Sequence, residues 1–157
     1  MCLTLCLETP DQTARLAERV GAHLRAGDCL LLDGPVGAGK THFARHLILS
    51  LMPVPEDVPS PTFTLIQTYD TSVGELWHAD LYRLTSLDEI EELGLVQAFD
   101  HAICLVEWPQ LLGPLTPATA LTLKFQADPN NELTRHVSFH ATTKRWQPLL
   151  DQLANAP

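Results

Sequence analysis

Hydrophobic and polar positions change period several times along the chain, and each change marks an element. Residues 2–8, CLTLCLE, have the alternation of a half-buried strand. Thr9, Pro10, Asp11 and Gln12 then form a capping box, with Thr9 as N-cap and Pro10 in the first helical position. They predict a helix running to about Arg25, where Gly27 stops it. Residues 28–34, DCLLLDG, read as a short buried strand, followed by a glycine-rich loop and a second helix that ends before Pro53.

Residues 52–61, MPVPEDVPSP, are too proline-dense for regular structure and predict a loop. TFTLIQTY at 62–69 is rich in β-branched and aromatic side chains and predicts a strand, as does GELWHAD at 74–80. Ser86 and Glu89 frame a second capping box, opening a short acidic helix that halts near Gly94. AICLVE at 102–107 predicts a buried strand. ALTLKFQA and HVSFHA predict a hairpin pair around DPNNE, and RWQPLLDQLA a final helix. This order implies an α/β fold, a mostly parallel sheet with helices on both faces and antiparallel late strands at one edge. No repeat and no second domain is visible, so residues 1–157 read as one domain.

Composition narrows the partners. The net charge of −9 argues against a broad phosphate-gripping surface, so a role in RNA chemistry would run through other proteins. No apolar run is long enough for a membrane span, and the start, MCLTLCLETPDQ, lacks the features of a secretory signal. A cytoplasmic protein is expected. Cys2, Cys6, Cys29 and Cys104 form no CxxC pair and lie in apolar runs, which predicts reduced core thiols rather than zinc ligands or disulfides.

The chemistry concentrates at Gly34–Thr41, GPVGAGKT, which matches the phosphate-binding loop G-x-x-x-x-G-K-[ST] between a predicted strand and helix. Glycines at 34, 37 and 39 let the main chain from Val36 through Ala38 to Thr41 curl its N–H groups around an anion. Lys40 supplies a mobile ammonium for the outer phosphates, and the Thr41 hydroxyl can reach Mg²⁺. The rival reading is a glycine-rich turn with a solvated lysine. Asp80 and Glu107 each end an apolar strand, where a metal ligand or water-positioning group is wanted. Four residues keep two readings. Thr62 is a switch residue or an ordinary loop threonine, and His78 a proton carrier or a structural residue. Arg83 stabilises charge or docks a partner, unless it pairs with Glu89 or Glu91; Trp108 is a packing anchor or a stacking platform.

GAGKT at 37–41, SPTFTL at 60–65, HADLYRL from His78, ELG at 92–94 and ICLVEWP at 103–109 together resemble the bacterial TsaE (YjeE) ATPases. The resemblance implies a P-loop NTPase-like ATPase of tRNA threonylcarbamoyladenosine (t6A) modification that works with the TsaB–TsaD pair, meeting tRNA through those partners. It further implies that ATP and Mg²⁺ are bound, with Thr41 and Glu107 holding the metal and Asp80 supporting metal or water. Lys40, Asp80 and Glu107 are thereby the implied catalytic residues, and Arg135 corresponds to an arginine near the nucleotide. Pro35 and Val36 depart from the family, which commonly has an acidic residue and a leucine there.

Rival classes remain. A small-molecule P-loop kinase would need an arginine-bearing lid, and only Arg135 and Arg145 follow Glu107. A GTPase would need an Asn-Lys base-reading motif, which does not occur. A non-hydrolysing ATP-sensing module stays open. Because no arginine finger is identifiable in cis, slow turnover by the isolated chain is expected.

Overall fold

Two continuously apolar runs become the centre of the molecule. The computed structural model describes residues 1–155. Its strands are β1 (Cys2–Leu7), β2 (Cys29–Asp33), β3 (Ile66–Thr71), β4 (Gly74–Asp80), β5 (Ile103–Glu107), β6 (Leu121–Asp128) and β7 (Asn131–His140). The helices are α1 (Pro10–Gly21), α2 (Lys40–Leu51), α3 (Leu87–Glu92), α4 (Leu95–Ala98) and α5 (Gln147–Asn155).

The strands form one seven-stranded sheet in the order β1-β7-β6-β2-β5-β4-β3. β2 pairs in parallel with β5 on one side and β6 on the other, and β4 adds in parallel to β5. Burial on both faces explains why CLLLD and ICLVE show no alternation. Antiparallel pairing occurs at both ends of the sheet, with β3 on β4 and with β7 between β6 and β1. The late strands are antiparallel at one edge as expected, but that expectation is too narrow, because β3 turns back antiparallel on β4 at the other edge.

Helices cover both faces. Phe43, Leu47 and Ile48 of α2 pack with Leu16 and Val20 of α1 and Leu150 of α5 on one face. Ile90, Leu95 and Ala98 pack with Leu112 on the other, where a 3₁₀ turn spans Pro109–Leu115. This α/β arrangement is the class expected from the order of elements.

Local signals hold where contacts are local. The Thr9 hydroxyl accepts the Gln12 N–H at 3.3 Å, although the Gln12 side chain takes the Glu8 N–H rather than that of Thr9. The Ser86 hydroxyl accepts the Glu89 N–H at 3.3 Å, opening α3 as expected.

Three expectations are corrected. Helix α1 ends at Gly21 rather than near Arg25. Its continuation tightens into turns because the Asp28 carboxylate takes the Arg25 N–H while Arg145 grips both Asp28 and the His23 carbonyl. Residues 61–64 form a turn, not strand, since the Leu65 N–H returns to the Pro61 carbonyl at 2.7 Å and Leu65 has a φ of 67°. Strand β3 therefore starts at Ile66. Finally, Cys2 and Cys6 are exposed, while Cys29 and Cys104 are the buried thiols. Period two on an outer strand turns Leu3, Leu5 and Leu7 inward and the two cysteines outward.

The topology brings the C-terminal ends of β2, β4 and β5 to one edge of the sheet, with Asp80 and Leu32 both in register with Glu107. The glycine loop leaves β2 there, pressed on β6. Gly34 has a φ of 146°, and a Cβ on it would stand 2.6 Å from the Phe125 carbonyl oxygen. Gly37 has a φ of 81°, but a Cβ there would meet nothing within 4 Å. Gly37→Ala should therefore cost about 1–2 kcal/mol of stability from backbone strain alone. Gly34→Ala should cost roughly 3 kcal/mol or more, because a main-chain oxygen cannot rotate away. Urea denaturation of both variants checks this, and equal losses would refute the close approach of the loop to β6.

Candidate functional site

Above those strand ends lies a cavity of about 540 Å³. One wall is the loop and the start of α2. Gly39, with a φ of 107°, is the N-cap of α2 and supplies no side chain to bond the helix end. The first N–H groups of α2, which like those of any helix have no intrahelical acceptor, therefore receive no side-chain cap from it.

Lys40 is the first residue of α2 and is only 5% exposed. Its Nζ donates to the Gly34 carbonyl oxygen and lies 3.7 Å from the centre of the Trp108 indole ring. No carboxylate forms an ion pair with it among the described residues. Burial pushes the ammonium below its ordinary pKa, an effect opposed by the nearby charges of Glu107, Asp80 and Asp33.

The two carboxylates face this lysine from the strand ends, and each is buried. Glu107 accepts the Thr41 hydroxyl on Oε1 at 3.0 Å, and its Oε2 lies 2.7 Å from His78 Nε2. Asp80 accepts the Tyr82 N–H on Oδ1 at 3.0 Å and, more loosely, the Thr62 hydroxyl on Oδ2 at 3.4 Å. Thr62 also shares a 2.8 Å hydrogen bond with Ser60, anchoring it to the proline-rich loop.

Most residues singled out in the sequence meet here. Val36, Gly37, Gly39, Lys40, Thr41 and Thr62 line the cavity with Asp80 and Glu107. Two do not line it. The Gly34 backbone packs on Phe125 and contributes only its carbonyl to Lys40, and Ala38 is 1% exposed with its N–H held by the Pro35 carbonyl at 3.2 Å. Arg135 reaches the rim from β7 and donates to the Gly37 carbonyl at 3.3 Å. Arg83 stays outside, exposed, with its guanidinium 4.6 Å from the Phe63 ring centre. It forms no salt bridge with Glu89 or Glu91 among the described residues.

Other lining residues escaped the sequence reading. Pro10 and Thr13 come from α1 and Leu133 from the β6–β7 hairpin, and no local pattern links them to the loop. Trp108 is more than a packing anchor. A φ of 59° folds it back over Lys40, with Tyr82 4.7 Å away. Its place directly after Glu107 was the available signal.

Comparison with known proteins identifies the family. The family model described as "Threonylcarbamoyl adenosine biosynthesis protein TsaE" matches residues 7–137. The chain is 34% identical to the tRNA threonylcarbamoyladenosine biosynthesis protein TsaE of Rickettsia conorii, over 96% of this chain and 87% of the relative. It is 36% identical to the protein of the same description from Bacillus subtilis, over 92% and 89% respectively. The crystal structure of Bacillus subtilis YdiB superposes with a TM-score of 0.79 at 29% identity, covering 98% of this chain and 95% of that one. A match across both the loop and the carboxylate-bearing strands, with full-length relatives above 30% identity, places the chain in the TsaE family of threonylcarbamoyl adenosine biosynthesis proteins.

Proposed function

We propose that this chain is a Mg²⁺-dependent ATPase that supports t6A formation on tRNA, acting in the cytoplasm with the TsaB–TsaD pair rather than transferring the threonylcarbamoyl group itself. The observation that carries the reading is Lys40: a buried ammonium with no ion-pair partner among the described residues, set beside first-turn N–H groups and a Thr41–Glu107 pair in one cavity. A triphosphate supplies the anion such a site lacks.

Each chain group then has a task. Lys40 exchanges the Gly34 carbonyl and the Trp108 face for phosphate oxygens. The main chain at Val36, Gly37 and from Gly39 to Thr41 offers N–H donors, the Ala38 N–H being held by the Pro35 carbonyl, and Gly34 keeps that loop against the sheet. Thr41 and Glu107 hold Mg²⁺. Mg²⁺ takes much of its coordination from phosphate and water, so few protein ligands would be needed to hold it. Bound Mg²⁺ supplies neutralisation of phosphate charge. Asp80, fixed by the Tyr82 N–H, orients water near the strand ends.

The arginines support partner dependence. Arg83 rests on Phe63 outside the cavity, and Arg135 is occupied by the carbonyls of Gly37, Glu132 and Thr134. The net charge of −9 supports contact with tRNA through partners. No described helix is long and apolar enough to cross a membrane.

Four outcomes are expected. Lys40→Ala should weaken ATP binding at least tenfold by calorimetry, while Glu107→Ala should keep Mg²⁺-free ATP binding and lose most phosphate release. Turnover of Glu107→Ala equal to wild type would remove Glu107 from the site. Turnover of the wild-type chain should rise at least tenfold with TsaB–TsaD, since a supplied arginine finger is worth roughly 10³–10⁵ in rate; equal rates with and without the pair would contradict partner dependence. Binding of MgATP should also change tryptophan fluorescence as Lys40 leaves the indole. Trp108→Phe should lose that change although Trp77 and Trp146 remain.

A further inference from the structure

His78 has no task in the scheme above, yet it makes the shortest contact to Glu107. It lies within β4 and is 1% exposed. Strand period puts Leu76, His78 and Asp80 on the face toward α2, with Trp77 and Ala79 on the other. On β5, Ile103, Leu105 and Glu107 face the same way. The register sets His78 opposite Leu105 and Asp80 opposite Glu107. The imidazole therefore reaches diagonally, one step along the sheet, to place Nε2 2.7 Å from Glu107 Oε2.

Its other nitrogen, Nδ1, is buried and has no hydrogen-bond partner among the described residues. An unsatisfied buried polar atom costs stability, and an apolar side chain of similar size would avoid that cost. What the ring offers in return is the Nε2 donor. Glu107 needs one there, because Oε1 is already engaged by Thr41 and a bare Oε2 would sit in an apolar layer of the sheet.

We propose that His78 is a positioning residue. Its Nε2–H ties Oε2 of Glu107 to the sheet, so that Oε1, beside the Thr41 hydroxyl, is the one oxygen the carboxylate offers to Mg²⁺. This rests on the reading of the cleft as a MgATP site and divides the two carboxylates. Glu107, held at both oxygens, is the metal-holding group; Asp80, with only a 3.4 Å contact on Oδ2, keeps an oxygen for water.

The test compares His78→Gln, His78→Asn and His78→Leu in the full chain. A glutamine amide nitrogen reaches the position of Nε2, whereas that of asparagine reaches only the position of Nδ1. ATP affinity is measured by calorimetry in Mg²⁺ and in EDTA, with the Mg²⁺ concentration for half-maximal binding read separately. His78→Leu and His78→Asn should raise that Mg²⁺ concentration on the order of tenfold, as loss of groups that orient metal ligands does. Affinity in EDTA should stay within about twofold of wild type, and His78→Gln should restore the Mg²⁺ response. Should the leucine variant fail to fold, the glutamine and asparagine pair still decides, since they present the same amide at different reach. The proposal is overturned if His78→Asn keeps the wild-type Mg²⁺ response, if affinity falls equally with and without Mg²⁺, or if His78→Gln is as impaired as His78→Asn. Wild-type protein that binds no ATP would instead sink the MgATP reading, and this inference with it.

Discussion

Lys40 brings a full positive charge into a position that leaves 5% of its surface to water. Burying a charge is costly unless opposite charge or hydrogen bonds replace the lost hydration. Here the replacements are one carbonyl and one indole face, the latter worth roughly 0.5–2 kcal/mol. Glu107, Asp80 and Asp33 act on the ammonium, yet none forms an ion pair with it among the described residues. The backbone around it is arranged to hold this under-compensated charge. Gly34 has no Cβ, so its carbonyl can turn to Lys40 while its backbone lies on Phe125, and Trp108 adopts a left-handed conformation to cover the same nitrogen. An arriving polyanion would relieve the imbalance, which ties the fold of the loop to the proposed chemistry.

The carboxylates obey a second constraint, the sheet register. Asp80 and Glu107 are partners across β4 and β5; Asp80 closes the buried stretch 78–80 of β4, and Glu107 closes a strand buried throughout. Because side chains alternate with period two, a one-residue slip of β4 would turn Asp80 toward Val106's face and put Ala79 beside the lysine. The apolar cores of the two sheet faces therefore fix where the charges emerge. His78 is the one polar interruption of that layer on β4, and its partner is Glu107.

What could be read from sequence follows the range of the interaction. The glycine loop between β2 and α2 and the capping residues Thr9 and Ser86 are set by near neighbours, and the place of each carboxylate at the end of its strand is visible in the run before it, so spacing announces them. The end of α1 is different: it is decided by Arg145 acting on Asp28 across 117 residues. The solvent exposure of Cys2 and Cys6 depends on β1 being the outermost strand, which alternation cannot reveal. Pro10, Thr13 and Leu133 enter the cavity wall only because the topology stacks α1 and the β6–β7 hairpin against the loop. Trp108 has two readings in sequence, but its place over Lys40 requires a left-handed backbone conformation that no pattern of residue types encodes.

The placement of the arginines bears on why hydrolysis would call for a second protein. Charge that builds on a transferring phosphoryl group is met most effectively by a guanidinium aimed at it. Arg135 is near enough to the rim, but it holds three main-chain carbonyls, and hydrogen bonds from charged donors contribute about 1.5–3 kcal/mol each. Redirecting it would give up those bonds and the tie they make between β7 and the loop at Gly37. Arg83 loses less by moving, since it leaves only the Phe63 ring, yet both are exposed beyond the cavity lining. On the proposed reading, a site furnished with a lysine and main-chain N–H groups for phosphate, but with no guanidinium aimed into it among the described residues, fits turnover governed by what docks beside it.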